Sequence, residues 1–520
     1  MAVSVPGTEE SNVTTPAFAD PADVLIVGGG IGGLSAAFAL ARAGLRVRVL
    51  EQAREFGEVG AGLQIAPNCT RILHEYGLLD EAKSLGVLPK SMVMRDAVDG
   101  GELTRLDLAD LERTYGFPYM VIHRSDLHGI FLRACRRAGV GLITDARVSG
   151  YENTASGARV LLADGRADEA RIVIAADGLR SAARGLLADD EPVSSSYVAY
   201  RAAVPIEQAG RDVDLSEVSV HVGPRCHFVQ YGLRGGEMLN QVAVFQSPKA
   251  LAGEADWGTP DELDNAFAAT CPDVQAGIPL MWRDRWWRMF DRDPIMTWVD
   301  GNIALLGDAA HPPLQYMAQG AVMAIEDGWV LARHVAARRA EDGSIDWQGA
   351  LAAYEAVRPE HCRRVLTTAR AWGELWHLDG VARLQRNTLL RARDTFDYSF
   401  TDWIYGPTAL TPEEEPRCSR RSRWIPSIAE PDPGARSGPG FRCRAMWGVL
   451  AGKPADHEVG SGWAGLRSRG PGGGGASAGR GALGRPAAGQ AGASSGGGAV
   501  GHVTSTARSS PRTHRLTCGD

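Results

Sequence analysis

The eight cysteines of this 520-residue chain form no C-x-x-C pair and no Cys/His spacing of the kind that holds a metal. No metal is therefore expected, and the cysteines read as ordinary thiols of a reducing compartment, with a cytoplasmic location as the expectation. Excess positive charge is also missing: the formal net charge is −7, which gives no electrostatic reason to bind nucleic acid or an anionic membrane. The uncharged stretch from Val24 to Ala41 is long enough to suggest a membrane span. Its glycine cluster would make a poor lipid-facing surface, however, and Arg42, Arg46 and Arg48 follow at once, so no span is expected. The first charges, Glu9 and Glu10, are the opposite of the basic start of a signal peptide.

What charge there is lies unevenly. Residues 408–520 carry 15 Lys+Arg against 8 Asp+Glu, whereas the preceding residues carry 40 against 54. This tail is rich in Gly, Ser, Pro and Arg, as in RGPGGGGASAGRGALGRP, and has too little apolar surface to offset the entropy of ordering it. It is expected to be disordered and dispensable. Its arginines are not interleaved with aromatic residues, as stacking on nucleic-acid bases would require.

The chain is organised around DVLIVGGGIGGLSAAFALARAGLRVRVLE, Asp23 to Glu51. An apolar strand leads into Gly28, Gly30 and Gly33 in G-x-G-x-x-G spacing, then into an Ala- and Leu-rich helix and a second strand ending at Glu51. The glycines permit the turn, the approach of a pyrophosphate and close helix–strand packing, and Glu51 is placed to accept ribose hydroxyls. The same spacing at Gly460, Gly462 and Gly465 has neither strand before it nor helix after it and is a chance match.

Downstream, Phe56 to Asn68 reads as a Gly-punctuated loop and Thr70 to Leu85 as helix. Tyr119 to Ile122 is a short strand, followed by Arg124 and a helix that Ser125 or Asp126 can cap. Strands at Arg147 to Glu152 and Ala158 to Leu162 read as a hairpin closed by Asp164-Gly165. Two apolar strands then end in acidic turns, Asp177-Gly178 and Gly307-Asp308, the second followed by a long helix from Ala318 to Arg339. Such strand ends suit the hydroxyls of an extended dinucleotide. Residues 191–290 alternate like strands and read as a separate β-rich unit.

With these motifs together, GDAAHP at Gly307 to Pro312 included, the chain resembles the group A flavoprotein aromatic hydroxylases over residues 22–407. Segments such as VGPRCHFVQYGLRGGEMLNQVAVF and WGELWHLDGVAR are similar to the 3-hydroxybenzoate 6-hydroxylases within that family, with salicylate hydroxylase-like enzymes as the alternative. The resemblance implies an α/β fold. A Rossmann-like FAD-binding domain would comprise residues 22–190 and 291–345, with an inserted β-rich substrate domain at 191–290. A C-terminal helical segment at 346–407 follows, between a flexible N-terminus at 1–21 and a disordered tail at 408–520. It implies bound FAD, transient NADH, O2 and a small aromatic acid, para-hydroxylation of 3-hydroxybenzoate being the expected reaction.

Matched position by position, the resemblance assigns FAD binding to Gly28, Gly30, Gly33, Glu51, Arg124, Asp177, Asp308 and Gly320. It places His227 and Gln315 in catalysis and Tyr231 and Val59 at the substrate. Alternation in Val222 to Leu233 puts His227, Val229 and Tyr231 on one face of a strand, and an imidazole has the pKa to take a phenolic proton near neutrality. Trp286 and Trp287 read as core or interface aromatics, and Cys226 as an inert neighbour of His227. Trp372, Trp376 and Trp403 would pack the C-terminal segment on the body or on a second subunit, a homodimer being one open expectation.

Overall fold

A computed structural model describes residues 21–57, 60–210 and 213–406. A six-stranded sheet forms its nucleotide side, in the order Val299–Asp300, Ile303–Leu305, Ile172–Ala175, Val24–Val27, Val47–Leu50, Gly141–Ile143. All neighbours run parallel except the first pair. The central strands VLIV and IVIA are buried at every position, as expected where helices cover both faces of a parallel sheet. The helix Ile31–Arg42 lies against the helix Gly320–Ala337 so closely that a Cβ on Gly328 would stand 2.7 Å from the Ala36 Cα. All the carboxyl ends that carry sequence motifs therefore open on one edge: Val27 before Gly28, Ala175 before Asp177, and Leu305 before Asp308.

The second sheet has seven strands, ordered Trp287–Asp291, Val193–Pro205, Met238–Gln246, Cys226–Leu233, Glu217–Gly223, Ser91–Asp96, Glu102–Asp107. Its last two strands come from upstream of residue 191, and Ser91–Asp96 joins in parallel to Glu217–Gly223, so this sheet is not confined to 191–290. The alternation in Cys226–Leu233 holds. Cys226 and Phe228 enter an apolar core with Phe245, Trp257 and Phe267, whereas Val229 and Tyr231 face the opposite way.

Several local expectations are corrected. Phe56 to Asn68 is not all loop, because Gly62–Ile65 pairs antiparallel with Met120–His123. The helix of residues 70–85 is two, Pro67–Glu75 and Leu79–Leu85, separated by Gly77 at φ +70°, a conformation favouring glycine. Neither Ser125 nor Asp126 caps Arg124–Arg137: His123 does, its Nδ1 accepting from the Ser125 N–H at 3.3 Å. Asp164-Gly165 turns the chain from Gly157–Leu162 into a third strand, Ala167–Ala170, and the first two strands meet at residues 155–156 instead.

Two buried networks lock the motif loops. Arg184 bonds the Asp190 carboxylate at 2.9 Å and the Ala310 carbonyl at 2.6 Å, tying the turn after Asp177 to the one after Asp308. Arg358, on the 30-residue helix Trp347–Trp376, bonds Asp327 at 2.7 Å and Glu326 at 2.9 Å. Asp327 in turn accepts from the Gly307 N–H at 2.9 Å and contacts His311 at 2.6 Å. Burial alone would raise the Asp327 carboxyl, but His311 and Arg358 hold it down at about 2. No helix among the described residues is long and apolar enough to cross a membrane. The expected tail at 408–520 and the N-terminal residues 1–20 lie outside the described residues.

Candidate active site

One cavity of about 1880 Å³ runs from the motif edge of the first sheet to the inner face of the second. An ordinary single-ligand pocket holds roughly 300–1,000 Å³, so this one has room for a dinucleotide and a second molecule.

Its first end is built from the glycine turn. Gly28 has φ +106°, and a Cβ there would lie 2.2 Å from the Ala176 carbonyl oxygen. A Cβ on Gly33 would lie 2.0 Å from the Gly28 carbonyl oxygen, so only glycine lets helix and strand cross here. Gly30 is the N-cap of Ile31–Arg42 and supplies no capping side chain, which leaves helix N–H groups to meet an anion. Glu51 is held at the rim, accepting from the Gly29 N–H at 2.7 Å and the Ala53 N–H at 2.8 Å.

In the middle, Arg124, Asp177, Asp308 and Gly320 all line the cavity. Asp177 accepts from the Tyr151 hydroxyl at 2.9 Å and the Ala182 N–H at 3.1 Å. Gly320 opens the 18-residue helix Gly320–Ala337, whose positive end faces the same space. Asn68 pins that end through Gln319 at 3.0 Å and Glu326 at 2.7 Å. Ala318, at φ +53°, makes the turn into it in a backbone region that costs a non-glycine residue about 1–2 kcal/mol.

At the far end His227, Tyr231 and Gln315 line the cavity together. Val59, the fourth residue expected there, lies outside the described residues. Tyr231 is buried, with its ring against the Gly62 backbone: a Cβ on Gly62 would come within 2.5 Å of Tyr231 Cε2. His227 is 1% exposed, and its Nδ1 lies 2.8 Å from His377 Nε2. Burial, and secondarily His377, push the His227 pKa well below the usual imidazole value, so the ring is neutral at pH 7.

Sequence reasoning did not find Arg201 or His377. Arg201 stands on Val193–Pro205 at the cavity wall, over the Trp287 ring at 5.5 Å, with one Nη2 bond of 3.3 Å to Gln315 Oε1. Among the described residues it has no carboxylate partner. A guanidinium inside a strand run such as SSSYVAYRAAV was the available signal, since a charge there demands a counter-charge. Trp372 and Trp376 were expected to do no more than pack the C-terminal segment; both line the chamber, Trp376 edge-on to His227 at 5.2 Å.

The profile of the family described as FAD binding domain matches residues 21–369. The chain is 38% identical over 393 residues to a 3-hydroxybenzoate 6-hydroxylase of Polaromonas naphthalenivorans (strain CJ2), covering 74% of this chain and 97% of that one. The chain belongs to the FAD-dependent aromatic hydroxylases. Among solved structures, Klebsiella pneumoniae HpxO complexed with FAD and uric acid matches with a TM-score of 0.62 at 27% identity, over 71% of this chain and 92% of that one. A salicylate hydroxylase substrate complex shares the fold, with a TM-score of 0.60 at 24% identity over 74% of this chain and 95% of that one. This hydroxylase is thus a flavoprotein monooxygenase acting with O2 on a small aromatic substrate. The residues present fit FAD: the glycine cradle would be filled by any Cβ, and the cavity is continuous from it to the second helix end.

Proposed function

We propose that this hydroxylase converts 3-hydroxybenzoate to gentisate, using NADH and O2 and placing the new hydroxyl para to the existing one. The reading rests on one observation: a neutral buried imidazole, an amide and a guanidinium with no carboxylate partner among the described residues share the far wall of the cavity. A meta-hydroxybenzoate carries the complementary pair, a phenol and a carboxylate. The relatives named 3-hydroxybenzoate 6-hydroxylase support the same substrate class.

FAD, held by Gly28, Gly30, Gly33, Glu51, Arg124, Asp177, Asp308 and Gly320, would supply the redox chemistry with NADH and O2. The chain's own contribution is to orient the ring, draw off the phenolic proton and exclude water. Arg201 would receive the carboxylate, because a planar guanidinium matches it with two charge-assisted bonds. His227 would take the phenolic proton on Nε2, Nδ1 being engaged by His377. An ionised phenol is the more electron-rich, and the position para to it is the one activated. Gln315 can donate to a phenolate or accept from a phenol, and Tyr231 with Trp376 closes the apolar wall. The test is a coupled assay of purified protein over a panel of hydroxybenzoates, reading product against NADH consumed. Gentisate from 3-hydroxybenzoate, near one per NADH, is expected; catechol from salicylate, or peroxide alone, would overturn the assignment.

A further inference from the structure

We propose that His377 is a positioning residue: its Nε2 accepts the Nδ1–H of His227, which leaves the His227 Nε2 lone pair facing the phenol. This deepens the function proposed above and rests on it. Two neutral imidazoles 2.8 Å apart can share one proton in only two ways. If His377 were the donor, the neutral His227 would carry its own proton on Nε2, with no lone pair left there to take the phenolic proton. If His377 is the acceptor, the step balances locally. The phenolic O–H breaks, an Nε2–H forms on His227, and the imidazolium is stabilised by its bond to His377; no other reactant is needed.

The surroundings hold His377 for this task. Its ring stacks on Tyr197 at 4.6 Å and 17°, and lies edge to edge with His227, within 19° of coplanar at a centroid separation of 5.1 Å. Its carbonyl accepts from the Arg225 N–H at 3.1 Å, so the end of the long helix is stitched to the turn just before the strand Cys226–Leu233. The carbonyl of the preceding Trp376 accepts from Arg386 Nη1 at 2.6 Å. The charged groups facing the pair are Arg386 and, around Tyr197, Glu374 and Arg225. Burial first, and Arg386 second, lower the His377 pKa to about 3, which keeps it a neutral acceptor rather than a competing base.

His377→Phe keeps the stacked ring and removes the nitrogen, whereas His377→Gln places a side-chain oxygen near the lost Nε2. With FAD bound in each, the Phe variant should lose about 10- to 100-fold in kcat, the range seen when the partner that orients a metal-bound imidazole is removed, with KM changed less than about 3-fold. Gln should restore most of that loss. A second readout needs no turnover: the ionisation of bound 3-hydroxy-4-nitrobenzoate, followed by its absorbance against pH. Its apparent pKa should rise by about one unit in the Phe variant and return in the Gln variant. Parental kcat and probe pKa in the Phe variant, or a Gln variant no better than Phe, would overturn the proposal. If the parental enzyme made no gentisate, the substrate assignment would fail while the probe titration still decided the role of His377.

Discussion

Holding two neutral imidazoles inside the fold has a cost that acid should expose. Both His227 and His377 have folded pKa values below the unfolded one, well below 6.5 for His227 and about 3 for His377. Between the folded and unfolded values the unfolded chain binds more protons, so stability is lost as pH falls through about 6.5. From pH 7 to 5.5, a ring that titrates near 6.5 when unfolded and stays neutral when folded loses about 1.2 kcal/mol, and two lose about 2.5 kcal/mol. His311 works in the opposite direction, since its pKa is raised: burial opposes this, and Cys362 and Asp327 outweigh it. A comparison of variants cancels that term. Urea unfolding at pH 7 and pH 5.5, with FAD saturating, should show the acid loss reduced by about 1.2 kcal/mol in His377→Phe and by about 2.5 kcal/mol in the double variant with His227→Phe. If the double variant kept the full parental loss, the rings would not be neutral in the fold, and His227 could not serve as the base.

Arg201→Met should raise KM for 3-hydroxybenzoate about 10- to 100-fold, the value of a hydrogen bond to a charged group, and leave FAD affinity unchanged; steady-state kinetics and flavin titration read the two. Gly28→Ala should yield protein without bound flavin, because the new Cβ would sit 2.2 Å from the Ala176 oxygen at φ +106°, and flavin absorbance of the purified protein checks it. Arg358→Met should lower stability by about 3–5 kcal/mol in urea unfolding, since it removes the guanidinium paired with both buried carboxylates, Glu326 and Asp327, and leaves Asp327 with its contacts to His311 and the Gly307 N–H.

The nucleotide side of the fold was readable from the chain because each part is local. Val24 to Glu51 contains its own strand, turn and helix, and the buried runs at 172–175 and 303–305 end in acidic turns that announce themselves without a partner. The second sheet was only half readable. Alternation gave the facing of His227, Val229 and Tyr231, but nothing local in Ser91–Asp96 says that it will pair with Glu217–Gly223, more than a hundred residues on. Strand pairing across such a distance is decided by the closing of the whole fold.

The site shows the same division. Gly28, Glu51, Asp177 and Asp308 could be named from the chain because their motifs carry the turn that places them at the cavity. Arg201 and His377 have no motif: each is a single polar residue whose meaning lies in what stands opposite it. Arg201 matters because, among the described residues, it has Gln315 and no carboxylate beside it, so a ligand can supply the counter-charge. His377 matters because a helix 30 residues long ends beside a strand 150 positions earlier in the chain, with the two rings in register. The residues that would bind the flavin are thus written into short segments, and those that would choose the substrate are assembled from distant ones. Changes at positions 201 and 377 should therefore alter which ring is hydroxylated, and how fast, without touching the flavin cradle.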